Sequence, residues 1–282
     1  MAAAIKRLRD NIAIIHQQVG DIAQQLKDFY REYFPQLQSA VKRQIVQAFY
    51  HICTQKYPQA FLDLSYQDRY NLQQKIKELG VIFAKNLCQK LNSIEEIKSQ
   101  PILVDLTRGI LASLGEQGKE DSQIEGKIDN STASTQLAPA TLLRFMMVVE
   151  NAVEASLLDV SQLANLLLQV ARILPQNIPN RILEMALKAG ENSSFVTGVP
   201  NILSVLIEKD EKSQEANVAP VVAVSLRLNE IEFYDNNLNS LRQRGIEIFK
   251  RLSALETEYQ QLSQKLAVAE AESAWRASWC DD

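Results

Sequence analysis

Ile5, Leu8, Ile12, Ile15, Val19, Ile22, Leu26, Phe29 and Tyr33 recur at alternating spacings of three and four, and no member of the series is polar. Held over about four heptads, that rhythm predicts a helix with a coiled-coil-like seam rather than a merely amphipathic one. Pro35 is expected to end it or bend it sharply. A second helix is predicted from Gln36 to Tyr57, with Val41, Ile45, Ala48, Phe49 and Ile52 on one side and Pro58 as its stop. Ser65 and Asp68 then form an S-x-x-D start for a helix reaching about Leu91, and Ser93 with Glu96 a second capping box. Pro101 opens a last helix in this stretch and Gly115 lies just beyond its end, the preferred order of those two residues. Residues 1–114 are therefore read as an N-terminal helical unit.

Residues 115–138, GEQGKEDSQIEGKIDNSTASTQLA, carry few large apolar side chains and are rich in Gly, Ser, Thr and acids. Burial there cannot offset the entropy of ordering, so a flexible linker or long loop is expected. Helical patterning returns over 139–209, a central helical unit. PATLLRFMMVVENAVEASLL comes first, then DVSQLANLLLQVARIL with Asp159 or Ser161 as a start signal, then PNRILEMALKAG ending at Gly190. After a second polar break, VVAVSLRLNEIEF alternates like a strand but runs unpunctuated into a helical pattern, which favours helix. Residues 210–282 are thus read as a C-terminal coiled-coil helix, and the whole chain as all-α.

That last helix carries a second seam: Leu238, Leu241, Gly245, Ile248, Leu252, Leu255, Tyr259, Leu262, Leu266 and Ala269. At 1.5 Å per residue it is about 46 Å long, against about 42 Å from Ile5 to Tyr33. Glycine at 245 costs about 0.8 to 1.0 kcal/mol of helix stability relative to alanine and leaves a hole in the seam. The hole is explained if an aromatic or a closely packed helix enters it, from a partner or from this chain's own first helix, whose seam ends in Phe29 and Tyr33. A mild bend without functional meaning is the simpler explanation. In a parallel homodimer Arg251 would pair with Glu256, and Lys265 with Glu270, each exposed pair contributing only about 0 to 1 kcal/mol. Further on, Trp275 and Trp279 share a helix face beside Arg276. Since Trp and Arg commonly anchor interfaces, they form a candidate docking patch, unless they cover the protein's own core.

Composition narrows the alternatives. With 9 Gly and 8 Pro in 282 residues the punctuation of a turn-rich β-fold is missing. Cys53, Cys88 and Cys280 lie far apart without CxxC spacing, which points away from a disulfide framework or zinc site and towards a reducing cytosol. Neither a signal-type apolar core nor a run of about 18 apolar residues occurs. Residues 1–114 hold 15 Lys/Arg against 10 Asp/Glu, and 210–282 hold 8 against 13, so the two ends have opposite bias. That asymmetry favours contact between them, within or between chains.

Catalytic and cofactor motifs are weak. SLGEQGKED has Ser113 where a phosphate loop needs its first Gly and Glu120 after Lys119, and no G-x-G-x-x-G occurs. His16 sits between seam residues, and His51 is two residues from Cys53, a spacing that points helical side chains to different faces. Glu95 and Glu96 are explained by a helix start. No catalytic, metal or cofactor site is expected, and an enzyme is the third choice. The mildly basic first unit offers Lys42, Arg43, Lys75, Lys77, Lys85 and Lys90 among Tyr50, Tyr57, Tyr66 and Tyr70 for nucleic acid or anionic lipid, with less charge than such binders concentrate.

The segment LRLNEIEFYDNNL, together with the ending AVAEAESAWRASWCDD, resembles the C-terminal part of a conserved family of cyanobacterial proteins over about residues 222–279. The resemblance implies a bacterial cytoplasmic or thylakoid-facing setting and no particular site residue. The expected function is a non-enzymatic adaptor, scaffold or assembly factor that binds a protein partner or itself through helix packing. Peripheral membrane or nucleic-acid binding by the basic unit is the alternative.

Overall fold

The computed structural model describes residues 2–98, 100–115, 137–175, 200–208 and 218–279. The fold is all-α, and among the described residues a single two-stranded hairpin is the exception. A long helix, α1 (Ala2–His51), opens the chain. Pro35 does not end it. The missing N–H and the ring cost a helix interior roughly 3 kcal/mol, and the fully buried Phe34 and Leu37 on either side, at about 1.5 to 3 kcal/mol each, suffice to hold the helical path. The predicted second helix, Gln36 to Tyr57, is the continuation of α1. It closes through a π-type turn, Ile52–Lys56, in which Tyr57 N–H donates to the Ile52 carbonyl (2.9 Å).

Pro58 then opens α2 (Pro58–Leu62), and α3 (Tyr66–Asn92) begins as expected, with Ser65 Oγ accepting from Asp68 N–H at 3.1 Å. Ser93 does not start the next helix. Its hydroxyl donates to the Lys90 carbonyl (2.7 Å), so it caps the end of α3, ahead of the short α4 (Glu95–Lys98). Helix α5 (Pro101–Ser113) has proline in its first turn, and Gly115 follows it at φ +85°, the left-handed conformation that glycine adopts without strain.

Helix α6 (Pro139–Val170) is unbroken where a start was expected at Asp159 or Ser161. Asp159 pairs instead with Lys90 (2.9 Å), and Ser161 Oγ donates to the Leu157 carbonyl one turn back (2.8 Å), the behaviour of a mid-helix serine. The predicted helix PNRILEMALKAG lies outside the described residues, as do 116–136 of the expected linker.

Of the stretch VVAVSLRLNEIEF (221–233), for which the pattern favours helix, the first four residues, Val221–Val224, belong to a strand. β1 (Ile202–Glu208) pairs antiparallel with β2 (Val218–Val224), Ile202 facing Val224 and Glu208 facing Val218. Helix therefore fails at the end of the predicted central unit and at the start of the predicted C-terminal one. A short α7 (Leu228–Phe233) follows, then α8 (Asn236–Ser278), whose first N–H groups, of Asn237 and Leu238, donate to Asp235 Oδ1 (3.0 and 3.1 Å).

The chain forms two compact units, and they are not the successive segments bounded at 114, 138 and 209. One takes residues 1–32, 94–149 and 241–282; the other takes 33–93 and 150–240. Helices α1, α6 and α8 each contribute to both.

Candidate interaction surfaces

In the first unit α1 and α8 run antiparallel. Arg9 pairs with Glu270 (2.7 Å), the rings of His16 and Tyr259 meet edge-on with centroids 5.4 Å apart, Arg251 donates to Gln25 (2.8 Å), and Arg244 pairs with Glu32 (2.6 Å). The α8 partner moves back along the chain as the α1 residue moves forward. Both seams are shielded accordingly. Ile15, Val19, Ile22, Leu26 and Phe29 are buried, as are Gly245, Ile248 and Leu252, while Leu241, Leu255, Tyr259, Leu262, Leu266 and Ala269 are half-buried. Leu238 falls in the second unit and is fully buried.

Gly245 is filled from within the chain. A Cβ placed there would lie 3.0 Å from Phe29 Cζ, so the ring occupies the volume a larger residue would need. Phe29 in turn packs on Tyr30 (centroids 5.2 Å), and Tyr30 meets Phe145 edge-on (6.1 Å). Tyr33, the other expected filler, is in the second unit and donates its hydroxyl to Glu232 (2.6 Å).

Of the charges expected to pair across a parallel homodimer, Arg251, Glu256 and Glu270 have partners inside this chain, and Lys265 is exposed. Arg251 holds Gln25, Glu270 holds Arg9, and Glu256 accepts the Ala140 N–H (3.0 Å) at the start of α6, where the helix dipole favours a carboxylate.

Beyond that pairing the outer face of α8 is exposed. Val268 and Trp275, seven apart, lie on one stripe of it, and Trp279, the residue after the helix end, brings its ring beside that of Trp275, with centroids 5.8 Å apart and the two tryptophans 67% and 64% exposed. Arg276 beside them is also exposed. The predicted docking patch does not cover a core.

The basic and aromatic residues proposed for an anionic partner lie in the second unit and are partly engaged there. Arg43 pairs with Asp235 and Lys90 with Asp159; the aliphatic stem of Lys42 lies over Gly80; Tyr57 Oη accepts the Val222 N–H (3.0 Å). Tyr50, Tyr66 and Tyr70 are exposed.

Sequence reasoning missed a buried polar knot in the same unit. Asn201, wholly buried in the left-handed region (φ 60°), donates its side-chain amide to Gln44 (2.9 Å), accepts the Arg227 N–H (3.1 Å), and gives its own N–H to Glu230 (2.5 Å). Arg227 closes the knot on Glu230 (3.1 Å). Its only trace in the sequence is a polar Asn before an apolar run, which turn chemistry also explains.

Titratable chemistry is quiet. Burial pushes the Cys53 thiol up to about 11, so at neutral pH it stays a protonated thiol and a poor nucleophile. His51 Nε2 is buried without a hydrogen-bond partner. Burial first, and Lys56 second, hold its pKa below the ordinary 6.5. As pH falls through 6.5 the unfolded chain therefore takes up the proton before the folded one, and stability is lost from 6.5 downwards. The denaturation midpoint of the wild type should fall more between pH 7 and 5 than that of His51→Gln. Equal slopes would show that the ring is not desolvated.

Among the described residues no group of three or more His, Cys, Asp or Glu side chains is placed to hold a metal, and no helix is long and apolar enough to cross a membrane. Comparison with protein-family models, with curated proteins and with solved structures found no match.

Proposed function

We propose that this chain is a protein–protein interaction module, an adaptor, scaffold or assembly factor, that presents the outer face of α8 to a helix of a partner. The observation that carries the reading is the exposure of Trp275 and Trp279 side by side at the end of α8 while the seam of the same helix is taken up by α1. Large aromatics left in water together are costly unless something covers them in use, and Trp beside Arg is the composition of an interface anchor. The basic residues of the second unit support the alternative, an anionic partner, less well, because Arg43 and Lys90 have carboxylate partners within the chain and the unit as a whole holds 14 Lys/Arg against 15 Asp/Glu.

The chain has 2 tryptophans, so its tryptophan fluorescence, excited selectively at the red edge where tyrosine does not absorb, reports on this face alone. Emission of the isolated protein should be that of water-exposed indole and should shift to the blue when a partner binds. Trp275→Ala/Trp279→Ala should keep the helical circular dichroism and lose, in affinity capture from a native lysate, proteins that the wild type retains. Identical capture by both would overturn the reading. A blue shift produced by anionic vesicles, and abolished by salt, would replace it with a peripheral membrane role.

A further inference from the structure

We propose that the outer ends of α1 and α8 form an autoinhibitory contact: the first turns of α1, residues 2–12, peel away from α8, and a partner helix of the same chemistry takes their place. The proposal rests on the reading of α8 as the binding helix and names what it binds.

Burial falls along both seams toward the same end of the pair. On α1, Ile15, Val19, Ile22 and Leu26 are buried, whereas Ile12, Leu8 and Ile5 are half-buried. On α8, Ile248 and Leu252 are buried, whereas Leu262, Leu266 and Ala269 are half-buried. The start of α6 braces the pair at one level, where His16 Nδ1 donates to the Leu137 carbonyl (3.0 Å) and Glu256 accepts the Ala140 N–H (3.0 Å). Outward of that brace, among the described residues, one polar link joins the two helices, Arg9 to Glu270, whose side chains are 64% and 44% exposed. A pair that wet adds little to the hold. No acid stands in the first turn of α1 to meet the free N–H groups there. Local opening starts where buried contacts are fewest, so this end separates while Phe29 still fills Gly245 further along.

Opening uncovers a defined surface. Leu262, Leu266 and Ala269 lose their cover, and Val268 and Trp275 on the same helix are already exposed. The displaced segment shows what fits: Ile5, Leu8 and Ile12 at three-four spacing, with Arg9 placed to meet Glu270. The partner is therefore an amphipathic helix with a basic residue flanking its apolar stripe. The resident segment competes with it at the high effective concentration of a tethered ligand, so α1 holds the site closed until a stronger helix arrives.

The test uses the full chain, with a dye-labelled peptide of residues 2–22 as the probe. In the wild type the Leu8 and Ile12 amides should exchange about a hundredfold or more faster than those of Ile22 and Leu252. Leu8→Asp loosens the resident segment, so this variant should bind the peptide, read by fluorescence anisotropy, about tenfold or more tightly than the wild type does. Its Ile22 and Leu252 amides should stay protected. If they do not, Arg9→Glu in the chain, which sets like charges against each other at Glu270, loosens the same contact from the surface and takes its place. A peptide carrying Leu8→Asp should bind the loosened chain about tenfold or more weakly. Equal exchange at Ile12 and Ile22, or equal peptide affinity of the wild-type and loosened chains, would overturn the proposal and leave the reading of α8 standing. A wild-type dimer that the peptide dissociates would give the site to α1 of a second copy and overturn the assignment of its occupant. Capture by Trp275→Ala/Trp279→Ala tests the reading of α8 separately.

Discussion

Asn165→Leu should destabilise the second unit severely. Leucine matches asparagine in size but offers neither the acceptor for the Val224 N–H nor the donor for its carbonyl, and Val224 is fully buried. Each backbone group left without a partner in such a place costs about 1 to 3 kcal/mol, so the pair is expected to cost about 2 to 6 kcal/mol. Asn165→Asp separates the two contributions. It keeps the acceptor, removes the donor to the carbonyl and adds a buried charge, so it should be at least as damaging. Urea denaturation followed by circular dichroism measures the loss, and amide exchange at Val224 locates it. A loss below about 1 kcal/mol, with Val224 still protected, would mean that another group can replace this side chain at the edge of β2.

The same residue shows why part of this fold was illegible. VVAV is a short apolar run that fits a buried strand or a buried helix equally, but a strand needs its outward N–H groups satisfied, and the side chains that satisfy those of Val222 and Val224 are Tyr57 and Asn165, remote in sequence. Nothing local separates that case from a helix running into α8. Asp235 was a local signal that went unread, since an Asp just before the periodic run is the usual start of a helix. Pro35 misled in the other direction, because a local rule about proline yields where burial on both sides is complete.

The seams were legible because a helix half in water and half against another helix must repeat every three or four residues, and nothing else in the chain writes that pattern. Their direction was not. Arg251, Glu256 and Glu270 can be given plausible partners in a parallel dimer or in an antiparallel pair, and exposed ion pairs are too weak to decide between them. What decides is fit at one position, and there the sequence does carry the information, as a gap.

Gly245→Leu tests that fit and is expected to destabilise the first unit by about 1 to 3 kcal/mol or more. The Cβ alone would lie 3.0 Å from Phe29 Cζ and 3.4 Å from Cε2, so alanine requires the ring to give by a few tenths of an ångström. The gain of about 0.8 to 1.0 kcal/mol in helix propensity should roughly offset that, leaving Gly245→Ala near neutral. Leucine has three more carbons to place in volume that Phe29 already fills, and Phe29, only 5% exposed, cannot move aside without giving up its contact with Tyr30. Phe29→Ala alone should cost about 3 to 5 kcal/mol through the opposite defect, a cavity. Combined, the two defects should cancel in part, so the double variant is expected to be more stable than the sum of the single changes allows, a coupling that a double-mutant cycle in thermal or urea denaturation reads directly. If Gly245 instead marked a bend, leucine there would raise helix propensity with nothing to collide with, stability would rise, and no coupling to Phe29 would be found.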